Sequence, residues 1–195
     1  MIMLGRKDLP ANTVDELIEA SKKPGAKELS FGSVGAGSMY HLVAETFSRQ
    51  TGVKMLHVPY KGAAPLLTDL MGGQIDLVFM PLAGNVGSLI KEGKVKAFGV
   101  AAKQPHPLFP TLPALAASKA LSGFEFDLWA GIEVAKNTPE PVVEQINKAI
   151  AQALQNPEIR KAYESTGNEV GKPMSPAELN KLYTAEIARY QGIAK

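Results

Sequence analysis

The sequence predicts an α/β fold in which a mostly parallel sheet is flanked by helices. Four short apolar segments with strand character alternate with helical segments between Leu29 and Ala101, which is typical of parallel strands joined by right-handed crossovers. Two of these segments, Ile75–Met80 and Val95–Ala101, are mainly apolar, as strands buried on both faces are. The chain has 195 residues, 45% of them hydrophobic, which is enough for one ordinary domain or two small lobes.

The first half of the chain supplies the alternating elements. A helix is predicted to begin at Asn12 or Thr13, because Thr13 and Glu16 have the spacing of a capping box, and to end at Pro24-Gly25. A short strand over Leu29–Gly32 follows it. The elements predicted next are a helix over Ser38–Gln50, a strand over Val53–Tyr60, a helix over Pro65–Met71, a strand over Ile75–Met80, a helix over Asn85–Glu92 and a strand over Val95–Ala101.

The second half of the chain is predicted to be mainly helical. Four prolines between Lys103 and Pro113 exclude a helix there and indicate a surface loop. Phe124–Val134, which contains the only tryptophan, alternates in the manner of a strand. Three amphipathic helices are predicted after it, beginning near Thr138, Pro157 and Ser175.

Composition excludes several classes of protein. The net charge of +2 arises from 21 basic and 19 acidic residues spread along the chain, without the basic clusters that nucleic-acid binding needs. The chain has no cysteine, which excludes thiol catalysis, thiolate metal sites and disulfides. No apolar run approaches the length of a membrane span, and Met1–Lys7 lacks the length and residue order of a secretory signal. We therefore expect no nucleic-acid partner and no membrane-spanning segment.

Residues 33–38, termed the Ser/Gly turn, are the strongest candidate site. The helix that follows has no acid in its first turns, because its first acidic residue is Glu45. A helix start exposes unpaired N–H groups and a partial positive charge, so one without an acid favours an anionic ligand over a merely serine-capped helix. The predicted ligand-binding residues of the turn are Ser33, Val34, Gly35, Ala36, Gly37 and Ser38. A carboxylate tethered by Ser33→Asp is expected to fill this site and leave the fold intact.

Two further strand ends are predicted to lie at the same edge of the sheet, where open parallel sheets place ligands. Tyr60, Lys61 and Gly62 close the second predicted strand, and Met80 ends the third. Lys61 adds a positive charge, although a solvated lysine is the alternative. All four residues are predicted to contribute to the ligand site, whereas His57 is interpreted as structural or solvated.

Three other kinds of site have weaker support. Gly35-Ala36-Gly37 begins like a dinucleotide-binding motif, but Tyr40 stands at its third glycine position, and no Gly-Lys-Ser/Thr motif is present. His41 and Glu45 have the spacing of two metal ligands without a third. Ser38 with His41 leaves open a small α/β hydrolase or isomerase, although no Gly-x-Ser-x-Gly motif accompanies the pair. We therefore predict no cofactor, no metal site and no catalytic residue.

Five short motifs stand in one order that covers nearly the whole chain. They are Phe31-Gly-Ser-Val-Gly-Ala-Gly-Ser38, His57-Val-Pro-Tyr-Lys-Gly62, Asp69-Leu-Met-Gly-Gly-Gln-Ile-Asp76, Ile90-Lys-Glu-Gly-Lys94 and Thr138-Pro-Glu-Pro-Val-Val143. Together they resemble the Bug family, the substrate-binding proteins of tripartite tricarboxylate transporters. The resemblance implies a two-lobed, periplasmic-binding-protein type II-like fold that closes around a small organic carboxylate. It also implies a non-enzymatic periplasmic protein that delivers its ligand to the membrane components of the transporter.

The resemblance also divides the chain into lobes. It implies that residues 8–125 form a complete second ligand-binding lobe, whereas residues 1–7 and 126–195 form part of a first lobe whose leading strands are missing from this sequence. We therefore expect a truncated receptor that binds weakly and self-associates through incompletely covered helices. Met80-Pro81 stands where many relatives have an aspartate, which favours a plain carboxylate or an aromatic acid. The ligand-sensing lobe of a regulator shares this architecture and is a further alternative.

Overall fold

The computed structural model describes residues 1–193 and divides the chain into two compact units. The first unit is Met1–Leu128, and the second begins at Trp129. The first unit contains a five-stranded sheet, whereas the second contains helices. Among residues 1–193, no helix combines the length and apolarity that crossing a membrane requires.

The strands of the first unit form one sheet in the order β3-β2-β4-β1-β5. Their bounds are Ile2–Arg6 for β1, Leu29–Ser33 for β2, Met55–Pro59 for β3, Leu77–Met80 for β4 and Val95–Val100 for β5. β2 pairs in parallel with β3 and β4, and β1 is antiparallel to both β4 and β5. The four strands predicted from the sequence therefore all run in one direction, which confirms the mostly parallel sheet.

The strand β1 was not predicted and lies in the middle of the sheet. Ile2, Met3 and Leu4 are fully buried, and Ile2 pairs with Met80 on one side and Val100 on the other. Residues 1–7 therefore lie in the same compact unit as residues 8–125. The sequence pattern was too short to identify the strand, because its partners lie far along the chain.

The strand predicted over Phe124–Val134 is wrong. This segment has no strand in the structure, and the amide of Phe126 donates a backbone hydrogen bond to the Ala101 carbonyl. Its alternating aromatic residues instead fill the core, since the rings of Phe47 and Phe79 lie 6.2 and 6.1 Å from the ring of Phe124. The alternation arises here because aromatic side chains are buried, and it does not indicate a strand paired to a neighbour.

Helices cover both faces of the sheet in the first unit. The helices are α1 over Val14–Ser21, α2 over Met39–Thr51, α3 over Ala63–Met71 and α4 over Val86–Lys91. Leu66 and Leu70 of α3 join Val78 of β4 in one apolar cluster, while Phe47 of α2 packs against Phe79 of β4 at 5.4 Å between ring centroids. β4 is therefore buried on both faces, as its apolar sequence predicted.

A polar network joins three strands at the end of the sheet that is opposite the Ser/Gly turn. Arg6 Nε donates to Asp76 Oδ1 at 2.8 Å, and Asp76 Oδ2 accepts from the amide and the hydroxyl of Ser30 at 2.8 and 2.9 Å. Burial alone would raise the pKa of Asp76, but the hydrogen bonds from Arg6 and Ser30 outweigh burial and lower it. The network links β1, β2 and the start of β4.

The second unit is formed by three helices with uncovered apolar residues. The helices are α5 over Glu140–Gln155, α6 over Pro157–Ser165 and α7 over Pro176–Ile193, and none of them contains a buried residue. The exposed apolar side chains of this unit include Trp129, Ile132, Val142, Tyr163, Leu179, Leu182, Tyr183 and Ile187. The predicted helices are present, and their apolar stripes are only partly covered within residues 1–193, as expected.

Candidate functional site

The Ser/Gly turn lies at the edge of the sheet where the parallel strands end. β2 ends at Ser33, and α2 begins after its N-cap residue Ser38. The turn requires left-handed backbone at Gly35, where φ is +126°, and at Gly37, where φ is +78°. Ala36 and Gly37 form the exposed tip of the turn.

Both serine hydroxyls hold the turn together from within. Ser33 Oγ is fully buried, accepts from the Gly35 amide at 3.0 Å and lies 2.7 Å from His57 Nε2. Ser38 Oγ donates to the Gly35 carbonyl at 2.7 Å and accepts from the His41 amide at 3.4 Å. The structure therefore gives these hydroxyls partners inside the protein, and it leaves the backbone of the turn as the surface that faces outward.

The start of α2 presents amide groups without helical acceptors. The first intrahelical bond runs from the Leu42 amide to the Ser38 carbonyl at 2.9 Å, so the amides of Met39 and Tyr40 precede it. No acidic residue stands in the first turn of α2. The positive end of the helix dipole is therefore not neutralised by a carboxylate in that turn.

A second helix begins at the same edge of the sheet. α3 starts after Gly62, has no side-chain cap and has no acidic residue in its first turn. The Tyr60 amide donates to the Ser33 carbonyl at 2.8 Å, which brings the end of β3 beside the Ser/Gly turn. Lys61 lies exposed between Tyr60 and Gly62. The sequence prediction that these residues share an edge with the turn is confirmed by the strand register.

Tyr60 and Met80 have mainly structural contacts. The Tyr60 hydroxyl donates to Asp69 Oδ2 at 2.8 Å, and burial together with Asp69 raises the pKa of Tyr60 to about 12. Met80 is 4% exposed and belongs to the apolar cluster against which Val34 and Tyr40 pack. The Met80 side chain therefore supports the turn from the core, although its backbone lies at the predicted edge.

A histidine pair that the sequence analysis missed lies beneath the turn. The rings of His41 in α2 and His57 in β3 are 4.3 Å apart, and Phe31 of β2 stacks on His57 at 4.9 Å. Burial and then the neighbouring His41 lower the pKa of His57, while Glu45 opposes them. The sequence could have revealed this pair only through the parallel register of β2 and β3, which sets Phe31 opposite His57. That register is known only once the two strands are paired.

The geometry contradicts the Ser38–His41 nucleophile–base pair. His41 Nδ1 accepts from the Gly37 amide at 3.2 Å, and His41 Nε2 lies 3.7 Å from Glu45 Oε1. Ser38 Oγ donates to the Gly35 carbonyl, so the His41 ring does not accept its proton. Within residues 1–193, no three His, Asp or Glu side chains are placed to hold a metal ion.

Comparison with known protein families gives a match over the whole chain. The model described as "Tripartite tricarboxylate transporter family receptor" matches residues 1–195. A UPF0065 protein from the tcbD-tcbE intergenic region of Pseudomonas sp. (strain P51) is 32% identical over 91% of this chain and 52% of its own length. A UPF0065 protein from the clcB-clcD intergenic region of Pseudomonas knackmussii is 36% identical over 80% of this chain and 91% of its own length.

Solved structures of similar fold include a periplasmic binding protein. R. palustris Rpa4515 with adipate has a TM-score of 0.89 and 31% identity, with 99% of this chain and 63% of that chain covered. MatC from Rhodopseudomonas palustris with bound malate has a TM-score of 0.88 and 29% identity, with 100% of this chain and 66% of that chain covered. BugD, a periplasmic binding protein, has a TM-score of 0.87 and 32% identity.

This chain covers a different share of the length of each relative. This chain spans about half the length of the Pseudomonas sp. relative and under two thirds of Rpa4515. The family and the fold are those of solute-binding proteins. The chain therefore belongs to the receptor family of tripartite tricarboxylate transporters.

Proposed function

We propose that this chain binds a small organic carboxylate at the Ser/Gly turn and serves a tripartite tricarboxylate transporter as its receptor. The observation that carries the proposal is the acid-free start of α2, whose backbone faces outward at Ala36 and Gly37. Two similar structures hold adipate and malate, which are both carboxylates. Membership of the same family supports a periplasmic location and a role without catalysis.

The proposed binding energy comes mainly from backbone amides. A hydrogen bond to a charged group contributes about 1.5–3 kcal/mol, and the positive ends of α2 and α3 favour negative charge at the same edge. The exposed Lys61 adds a cation beside the start of α3. In this assignment Ser33 and Ser38 keep the turn in shape, while residues 34–37 present the backbone to the ligand.

The proposed lobe assignment follows the compact units. Residues 8–125 form the second ligand-binding lobe together with β1, which pairs with β4 and β5. The helices beyond residue 128 belong to the other lobe. The proposed partners are the carboxylate and the membrane components of the transporter.

Calorimetric titration with adipate and malate tests the proposal. We expect heat from each dicarboxylate and none from its neutral amide, because the turn recognises negative charge. We also expect Ala36→Asp to abolish binding, because it tethers a carboxylate at the exposed tip of the turn. Ala26→Asp is the matched control, since Ala26 is equally an exposed alanine but lies before β2.

Two results would contradict carboxylate binding at the turn. Equal heats for the acids and their amides would show that charge is not recognised. Unchanged binding in Ala36→Asp, with Ala26→Asp also unchanged, would place the ligand elsewhere. Thermal unfolding of both variants checks that neither substitution disrupts the fold.

A further inference from the structure

One amide of the Ser/Gly turn already has an acceptor inside the protein. The Gly37 amide donates to His41 Nδ1 at 3.2 Å. An imidazole nitrogen accepts a hydrogen bond only when it carries no proton, so the His41 proton resides on Nε2, which faces Glu45 Oε1 at 3.7 Å. The His41 ring thus occupies a donor that a carboxylate ligand would use.

The surroundings of Gly37 leave room for that ligand. Gly37 is exposed, and no heavy atom beyond its chain neighbours lies within 4 Å of the position where a Cβ would stand. The His41 side chain is 22% exposed, so its ring reaches the turn from the protein side while the other side of Gly37 stays open. A carboxylate and the His41 nitrogen therefore compete for one N–H group.

The groups around the His41 ring decide how it takes up a proton. His57 of β3 faces it at 4.3 Å between ring centroids, Phe31 of β2 lies at 6.1 Å, and Glu45 stands one turn along α2. Two imidazolium rings at this distance repel each other, which disfavours a proton on His57 while His41 carries one. Burial and the neighbouring His41 lower the pKa of His57, and Glu45 Oε1 stands 3.7 Å from His41 Nε2.

We propose that protonation of His41 at Nδ1 releases the Gly37 amide to the ligand, so that the turn binds carboxylates more tightly in mild acid. This inference rests on the proposed function. The protonated nitrogen changes from an acceptor to a donor, and the ring gains a positive charge beside the anion. Both effects raise the affinity for the carboxylate once His41 is protonated.

The expected change is that of the neutral Gly37–His41 hydrogen bond, which the ligand no longer has to displace. Such a bond corresponds to an affinity about three- to tenfold higher. We therefore expect calorimetric titration with adipate to give a dissociation constant about three- to tenfold lower at about pH 5.5 than at about pH 8, on either side of the ordinary histidine pKa.

Three variants distinguish competition by His41 for the Gly37 amide from other effects of pH. His41→Asn keeps an acceptor near Gly37 but takes up no proton. Its affinity for adipate should therefore stay, at both pH values, near that of the unmodified protein at about pH 8. His41→Phe keeps a ring on His57 but has no acceptor, so it binds adipate more tightly than the unmodified protein at about pH 8. His57→Gln retains the pH dependence. The titration of adipate itself is common to all four proteins and cancels in the comparison.

Two results would overturn the competition for Gly37. One is that the affinity of the unmodified protein for adipate changes with pH by the same factor as the affinity of His41→Asn. The other is an affinity of His41→Phe that is no higher than that of the unmodified protein at about pH 8.

The Gly37 amide also gives a readout that needs no ligand. Its NMR resonance in the ligand-free protein should shift between about pH 8 and about pH 5.5, because the bond to His41 Nδ1 is lost, and it should not shift in His41→Phe. If no carboxylate binds at any pH while this resonance still shifts with pH, the proposed function fails, and the proposed pH dependence of binding fails with it. If adipate binds but the resonance does not titrate, the inference fails and the proposed function stands.

Discussion

Ser33 illustrates how a residue chosen as a ligand contact can act as a support. Its hydroxyl contacts Gly35 twice and lies 2.7 Å from His57 Nε2, and the residue is fully buried. Ser33→Asp would therefore bury a carboxylate, which is costly, and the expectation that this substitution leaves the fold intact does not hold. Ala36, at the exposed tip, is the position for a tethered carboxylate.

Ser33→Ala should destabilise the first unit. The substitution removes the hydroxyl and leaves the Gly35 amide and the His57 ring without that partner, so the free energy of unfolding should fall by about 1–3 kcal/mol. Urea unfolding measures the change. Ser88→Ala is the matched control because Ser88 is exposed on α4, and its stability should be nearly unchanged. Equal stability of the two variants would contradict the supporting role of Ser33.

Local sequence was sufficient for the Ser/Gly turn but not for the histidine pair. The glycines, the N-cap serine and the acid-free helix start all lie within a few residues, so they identify the turn without any tertiary information. His57 is distant from His41 along the chain, and only the β2–β3 register brings their rings together. Contacts of this kind depend on strand pairing, which residue types alone do not determine.

At the scale of elements, the Arg6–Asp76–Ser30 network should set the acid stability of the sheet. The pKa of Asp76 is lower in the folded protein than in the unfolded chain. The network therefore stabilises the fold above the ordinary aspartate pKa, near 4, and this stabilisation is lost as pH falls through the lowered value. The Asp76 side chain is only 10% exposed, so it is well shielded from solvent screening.

Asp76→Asn should lower the free energy of unfolding by about 3 kcal/mol at neutral pH, since it removes the more buried of the two carboxylates that contact Arg6. It should also flatten the loss of stability below about pH 4. Chemical unfolding at a series of pH values tests both effects. Asp8→Asn is the control, because Asp8 contacts the same Arg6 at the surface. An acid profile identical to that of the unmodified protein would contradict the assignment.

The elements that sequence reasoning found and missed differ in where their partners lie. β2 to β5 were predicted because apolar runs and turn residues mark them locally. β1 has five residues, and its identity as a strand depends on pairing with β4 and β5. Phe124–Val134 has the alternation of a strand, yet its aromatic rings fill space beside Phe47 and Phe79.

For the whole molecule, the uncovered helices of the second unit should drive self-association. Leu179, Tyr183 and Ile187 of α7 follow one another at four-residue spacing and are 43%, 40% and 40% exposed. Exposed apolar patches tend to become interfaces. We expect sedimentation to show association that increases with concentration, accompanied by a blue shift in the emission of Trp129, whose ring lies 6.0 Å from Tyr183.

Paired variants test which surface is responsible. Leu179→Lys combined with Tyr183→Lys should reduce association, because it places charges on the apolar stripe. Ala185→Lys is the control, since Ala185 is exposed on α7 but lies off that stripe. A monomer at all concentrations, or association unaffected by the double substitution, would contradict this expectation.

The central position of β1 constrains how the sheet can assemble on the ribosome. Residues 2–6 are synthesised well before their partners Leu77–Met80 and Val95–Val100. Strand pairs so distant in sequence form slowly, and an unpaired apolar strand can join the wrong chain in the meantime. The nascent protein therefore carries this buried strand without a partner until Leu77–Met80 has emerged, and its exposed apolar side chains favour aggregation during that interval.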